Sequence, residues 1–368
     1  MEIAELGEFG LISQLTKDIK PENGSTEKGV GDDCAVLNYG GERRVLVTTD
    51  MLMEGIHFDL QYVPLKHLGY KSSMVNLSDI YAMNGTPRQV TVSLAISKRF
   101  QVEDIEELYS GMRLACEQHH VDLVGGDTTA SVTGLAISVT AIGEAKAEDI
   151  VYRSGAQPND LICVSGNLGA AYMGLQLMER ERTVFNSQVH ELQKKIAEAK
   201  EKGNEELAAN FSSQLANLDF QPEWSGREYL LERQLRPEAR IDIVEELRKA
   251  GIKPTAMMDI SDGLSSELFH ICTQSKVGCD IYEDKLPVDY QSAALADEMN
   301  LNVVTCALNG GEDYELLFTC DIHDYEKLVP IDDIYIIGHI TEGNALRLIP
   351  RTGEPFPLTA QGWNAFEQ

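Results

Sequence analysis

The sequence predicts a two-domain protein, α/β in its first part and α+β in its second. Three observations lead there. A chain of 368 residues is longer than one small core organises. β-branched apolar runs alternate with segments of helical period through residues 1–150. The turn-rich stretch "RSGAQPNDLICVSGNLG" (153–169) then leads into a new strand, which marks a junction. We therefore place one domain at 1–150 and a second at 151–368, in two layers.

Taken in order, "RRVLVTTD" (43–50) reads as a strand ending in an acid. Residues 65–85 have helical spacing and stop at Gly85, with Pro87 just beyond. Strands are predicted at 88–97, 121–127 and 134–145, with an amphipathic helix at 102–120. Residues 183–225 are charged and helix-forming, with a break near Gly203, and read as a two-helix insertion on the surface. A helix follows at 235–251. "PTAMMDISDGLSSELFHICTQSKVG" reads as strand, tight acidic turn and helix. Residues 303–321 and 332–340 are predicted to supply further strands.

The formal charge of -28 argues against a nucleic-acid partner and against an anionic membrane surface, both of which need clustered Lys and Arg. The seven cysteines are scattered and form no C-x-x-C pair, which fits reduced thiols in a cytoplasmic protein. The N-terminal stretch is acidic and lacks a basic region, unlike a secretory signal. No apolar run reaches the length of a membrane span.

One local pattern recurs: an apolar strand runs into Gly or Thr and then an acid. It appears in "GVGDDCAV" (Asp32, Asp33), "VLVTTD" (Asp50), "LVGGDTT" (Asp127), "AMMDISDG" (Asp259, Asp262) and "LNGGEDYELLF" (Glu312, Asp313). Asp79 in "NLSDIYAMNG" joins them from a helix. Strand ends in α/β sheets border the ligand crevice. Converging carboxylates repel unless a cation sits among them, and Mg²⁺ binds through carboxylates plus substrate phosphates. The pattern suggests phosphate chemistry on Mg²⁺. Taken singly, each motif reads as a turn sooner than as a ligand; Asp262 is as good an N-cap as a ligand, and Asp313 can simply close a turn. There is no Walker loop and no protein-kinase motif set. "SGNLGAAYMG" (165–174) lacks dinucleotide spacing and reads as a strand-to-helix turn. His57 is a candidate phosphate or substrate contact, or a half-buried histidine. Arg153 is a candidate phosphate clamp, or a surface ion pair. Trp363 can stack on a heterocycle, or pin the tail to the core.

Eight motifs in order resemble those of the bacterial thiamine-monophosphate kinase family: "GVGDDCAV", "TTDMLMEGIHF", "NLSDIYAMNGTP", "LVGGDTT", "RSGAQPNDLICVSGNLG", "DISDGLSSEL", "GGEDYELLF" and the terminal "GW". The resemblance covers nearly the whole chain. It implies an aminoimidazole-ribonucleotide-synthetase-like fold, a homodimer joined through the N-terminal sheets, and a C-terminal domain that closes over the cleft. It implies direct transfer of the γ-phosphoryl of ATP onto thiamine monophosphate, with several Mg²⁺ ions and no phospho-enzyme. Carried over by motif, Asp33, Thr48, Thr49, Asp50, Asp79, Asp127, Asp259 and Asp262 are expected metal ligands, with Asp32 as a helper. Tyr109, Gly126, Asp127, Arg153 and Ser261 are expected ATP contacts. His57, Glu312 and Trp363 are expected contacts to thiamine monophosphate. Two features depart from the family pattern: Asn84 at a helix end, and the length of the 183–225 insertion. Other readings are a different ATP-using enzyme on the same scaffold, a non-catalytic nucleotide-binding subunit, and a Mg²⁺-dependent phosphatase. A selenophosphate synthetase calls for a Cys near the N-terminus, and the hydrogenase-maturation enzyme for one at the C-terminal end; this chain has no Cys before Cys34 and ends "AFEQ".

Overall fold

Two sheets organise residues 3–359, the part of the chain described by the computed structural model. After helix α1 (Ile3–Thr16), the first sheet is built from β1 (Thr26–Lys28), β2 (Ala35–Leu37), β3 (Arg43–Met53), β4 (Thr86–Ser97), β5 (Asp122–Ser131) and β6 (Leu135–Lys146). Its spatial order is β1-β2-β3-β6-β4-β5, antiparallel except for the parallel pair β4/β5. Helices α2 (Leu65–Ala82) and α3 (Val102–His119) make the crossovers into β4 and β5.

The second sheet uses β7 (Leu161–Ser165), then helices α4 (Ala170–Glu201), α5 (Glu205–Ala216), α6 (Glu228–Leu235) and α7 (Ile241–Lys249) before β8 (Ala256–Asp259). It continues through α8 (Leu264–Ser275), β9 (Gly278–Tyr282), α9 (Tyr290–Glu298), α10 (Val303–Asn309) and β10 (Leu316–Cys320). Short α11 (Tyr325–Leu328), β11 (Ile334–Thr341), β12 (Leu346–Ile349) and β13 (Phe356–Pro357) complete it, in the order β13-β12-β9-β11-β7-β10-β8. The mixture is α/β followed by α+β, as the sequence predicts. One apolar core spans both parts, joining Leu77, Ile80 and Val139 with Met257, Leu316 and Phe318.

Three local expectations need correction. Residues 303–309 are helix α10, not strand, because the Asn302 side chain accepts the backbone N–H groups of Val304 and Thr305 and caps a helix there. The helix expected at 235–251 is shorter, α7 at Ile241–Lys249; Leu235 ends α6, and Pro237 lies in the link between them. The insertion does not begin as a separate unit: α4 is one helix of 32 residues whose first turns bury Ala170, Met173 and Leu177, and only its far half projects. Its turn into α5 uses Gly203 at φ 67°. Asn84 sits at φ 57° and bonds the Asp149 carbonyl and Arg248, a left-handed position that Asn tolerates.

Helix α2 is buried on all sides, from Leu68 through Ser78 and again from Ile80 to Ala82. It touches α3 backbone to backbone. A Cβ on Gly69 would lie 1.9 Å from the Leu108 carbonyl oxygen, and one on Gly111 would lie 1.8 Å from that of Lys66. Only glycine permits this approach, so Gly69→Ala or Gly111→Ala has to push the helices apart. Each is expected to lower unfolding stability by about 2 kcal/mol in urea titration. Unaltered midpoints would show that the helices are not held at this distance.

Candidate active site

The acids of the opening motifs converge where the two sheets meet. Oxygen atoms of Asp33, Asp79 and Asp259 lie within 4.8 Å of one another. They come from the glycine turn before β2, from α2, and from the end of β8. Each has its own partner. Thr48 Oγ1 donates to Asp79 Oδ2 at 2.5 Å. Ser78 Oγ donates to Asp259 Oδ2 at 2.5 Å. Arg153 donates to Asp33 Oδ1 from Nε at 3.0 Å and from Nη2 at 2.5 Å. Asp32 faces inward beside them, accepting the Arg153 backbone N–H at 3.0 Å and pairing with Lys28 at 3.4 Å.

Helix α2 contributes more than its aspartate. Strand β2 pairs with only Val45–Val47 of β3, so the N–H of Asp50 has no strand beyond it; Asn76 Oδ1 accepts it at 3.0 Å. Within four residues, "NLSD" thus bonds β3 twice and β8 once. The Cys34 N–H donates to Met83 Sδ at 3.1 Å and ties the acidic turn to the end of the same helix.

The turn after β8 is set by Glu267, a buried residue of α8 that accepts the N–H groups of Ser261 (3.2 Å) and Asp262 (2.8 Å). Ser261 in turn accepts the N–H of Glu312 at 2.6 Å, so "DISDG" and "GGEDY" lie side by side. Glu312 Oε2 accepts from Lys71 Nζ at 2.9 Å and from Gln234 Nε2 at 2.7 Å. Asp313 points elsewhere: its carboxylate accepts the N–H groups of Gly169 (2.8 Å) and Ala171 (3.4 Å) and caps α4. His57 is oriented by the Met53 N–H, which donates to Nδ1 at 3.0 Å.

Several expected ligands are placed apart from the trio. Thr49 lies on the opposite face of β3 from Thr48 and Asp50, and its hydroxyl donates to the Val139 carbonyl. Asp127 and Gly126 lie on exposed β5, three strand spacings or about 14 Å from β3. Asp127 is in register with Ser93, Ser138 and Met51, on the Thr49 face. Gly126 has a structural reason there, since a Cβ would meet the Val92 carbonyl oxygen at 1.8 Å. Tyr109 lines a shallow cavity of about 440 Å³ with Phe100, Val102 and Arg113, none of them from the acidic centre. Trp363 lies outside the described residues. Sequence reasoning missed Asn76, Ser78, Lys71, Gln234 and Glu267, polar residues that are buried within their helices.

Crowding shows in the electrostatics. Burial pushes the Asp33 carboxyl up to about 7, against the pull of Arg153. Burial, with the charges of Asp262 and Asp33 adding, pushes Asp50 up to about 6. Asp259 is pushed to about 6, again by burial, and Asp79 goes well above its usual range by burial and by its neighbours Asp50 and Asp259. An oxygen-only set of this kind, with Asp33 Oδ2 buried and lacking any hydrogen-bond partner, suits a hard divalent cation.

The fold and this centre define the class. Residues 31–145 match the family model described as AIR synthase related protein, N-terminal domain. The chain is 34% identical to the thiamine-monophosphate kinase of Aquifex aeolicus, with 100% of both chains covered. It is 31% identical to that of Bacillus subtilis, covering 98% of this chain and 100% of the relative. A solved structure described as AaThiL complexed with AMPPCP and TMP superposes with a TM-score of 0.79 at 32% identity, covering 100% of this chain and 99% of that one. The chain belongs to the thiamine-monophosphate kinase family.

Carboxyls whose folded pKa exceeds the unfolded value bind protons more tightly in the native state. Without metal, stability is therefore expected to fall as pH rises from about 4 to about 7. Thermal unfolding across that range in chelator checks it. Asp79→Asn keeps an acceptor for Thr48 but removes one charge, and should flatten the slope. A midpoint that rises with pH would mean the carboxylates are not crowded.

Proposed function

We propose that the protein transfers the γ-phosphoryl group of ATP in line onto the phosphate of thiamine monophosphate, giving thiamine diphosphate and ADP in thiamine diphosphate biosynthesis. The observation that carries this reading is the meeting of Asp33, Asp79 and Asp259 from three separate motifs and both sheets. Asp33, Asp79 and Asp259, flanked by Asp50 and Asp262, would hold Mg²⁺, which when bound neutralises charge on the transferring group. Thr48 acts through Asp79, whose carboxylate it orients.

The chain's own residues supply position and charge. The acceptor oxygen belongs to a phosphate already ionised near neutral pH, so no strong base is required. Arg153 is proposed as an ATP phosphate contact on the strength of its motif; its Nε and Nη2 are engaged by Asp33, which leaves its remaining donors for a phosphate. Ser261, on the turn fixed by Glu267, is a second ATP contact. Tyr109, Gly126 and Asp127 are proposed as further ATP contacts, and Asp127 and Thr49 as metal ligands, on the family resemblance alone; both lie on the sheet face away from the trio and are not assigned to its ion. His57 and Glu312 flank the acceptor: Glu312 matches the positive charge of a thiazolium-bearing substrate, and Trp363 is its stacking partner.

We also assign a homodimer, formed through the first sheet. Edge strand β5 is exposed along nearly its whole length, including Leu123 and Val124, and an uncovered edge of this kind favours pairing. The seven cysteines are free and buried, in keeping with a reducing cytoplasmic setting. Among the described residues no helix is long and apolar enough to cross a membrane.

Phosphorus NMR of the protein with ATP, Mg²⁺ and thiamine monophosphate should show thiamine diphosphate appearing one-for-one with ADP. Asp259→Asn and Asp79→Asn should each lower kcat by about 100-fold or more while leaving the fold intact. Release of inorganic phosphate instead, or full turnover in both variants, would overturn the reading.

A further inference from the structure

The contact between Lys71 and Glu312 is not an ordinary surface pair. Lys71 is 5% exposed and Gln234 4% exposed, while the Glu312 side chain keeps 28% of its surface open. Lys71 Nζ also donates to the Gln234 carbonyl at 3.2 Å, so the ammonium is fixed from two sides. Both side-chain donors fall on the same carboxylate oxygen, Oε2. A pair serving only to join helices would be expected to bury the acid or engage both of its oxygens. Here the acid is held by one oxygen at the rim of the cleft.

The backbone is committed to the same end. Gly311, Glu312 and Tyr314 stand at φ 69°, 57° and 51°. Two non-glycine residues in that region are costly, and such outliers gather at ligand clamps. The surroundings suit a cation. Burial pushes the Tyr62 phenol up to about 12, with the charges of Glu179, Asp59 and Glu312 adding and that of Arg182 opposing. Arg182 of α4 pairs with Asp59 and lies 5.6 Å from the Tyr62 ring centroid, bracing that wall.

We propose that Lys71 and Gln234 are positioning residues that aim the second oxygen of Glu312 at the thiazolium cation of the acceptor. This rests on the functional reading above. Lys71 and Asp79 are eight residues apart on α2, about 12 Å along its axis. One rigid buried helix therefore sets the distance between the phosphoryl centre and the group that recognises the acceptor's cation. The clamp acts on acceptor binding and leaves ATP binding alone.

The test compares the wild type with Lys71→Met, Gln234→Leu, Glu312→Gln and the double variant Lys71→Met/Glu312→Gln. Thiamine diphosphate formation is followed while each substrate is varied, and thermal unfolding is recorded in parallel. Each single change should raise KM for thiamine monophosphate about tenfold with KM for ATP unchanged, as for loss of a hydrogen bond to a charged group. The double variant should be no worse than Glu312→Gln alone, because Lys71 acts only through that carboxylate. Additive effects, an equal rise in KM for ATP, or lowered stability with unchanged KM would each overturn the proposal and leave Lys71 as a tether between helices. A wild type that makes no thiamine diphosphate would overturn the functional reading, and the clamp with it.

Discussion

Mutual repulsion among buried carboxylates is the constraint on which this structure turns. Asp33, Asp79 and Asp259 are held closer than free carboxylates would settle, and burial makes each charge harder to carry. Thr48, Ser78 and Arg153 each hold one of the three. What keeps the group together is α2, which is covered on every side and cannot tilt without opening the core. Its glycine contact with α3, the Asn76 bond to β3 and the Ser78 bond to Asp259 fix it from three directions. A centre kept this way takes up protons or a cation; it has no relaxed empty arrangement to fall back on.

The same helix explains why two sheets behave as one scaffold. Leu77 and Ile80 share a core with Leu316 and Phe318 of the second sheet. A hinge motion carrying the whole second sheet would have to uncover these side chains. Closure over a bound substrate is cheaper in the loops at the cleft, around His57 and around Glu312, whose backbones already depart from regular structure. The far half of α4 projects away, yet its base braces the loop after β3 through Arg182 and Asp59. That gives the insertion a mechanical link to the loop that carries His57 and Asp59.

Much of the fold was legible because periodicity reports burial. Strands β3, β4 and β6 and helices α2 and α3 fall within a few residues of where the sequence put them. The failures have physical reasons. "VVTCALN" is β-branched and apolar, but the Asn302 cap and the packing of Cys306 and Ala307 overrule propensity. Strands β9 and β12 are short and offer little pattern. In the site, the strand-then-acid pattern singled out Asp33 and Asp259, which the fold brings together with Asp79, without saying which way each acid faces. Neighbouring residues on a strand point to opposite sides, so Thr48 and Thr49 cannot both turn their side chains to one centre. Strand order is not written locally either, and Asp127, in the same pattern as Asp50, lies at the far edge of the sheet.

Glu312 and Asp313 show how finely local backbone divides function. Both sit in one acidic motif after a pair of glycines. Asp313 turns inward, where the first N–H groups of α4 receive it and burial raises it to about 7. Glu312 is turned outward by its left-handed backbone and by the Ser261 carbonyl that takes its N–H. Backbone pairing runs on beyond β8 and β10 through this turn, with the Ile260 N–H on the Glu315 carbonyl and the Tyr314 N–H on the Ile260 carbonyl. The strained turn sets two adjacent acids to different tasks, Asp313 as a buried helix cap and Glu312 as the partner of Lys71, which reaches it from the other half of the molecule.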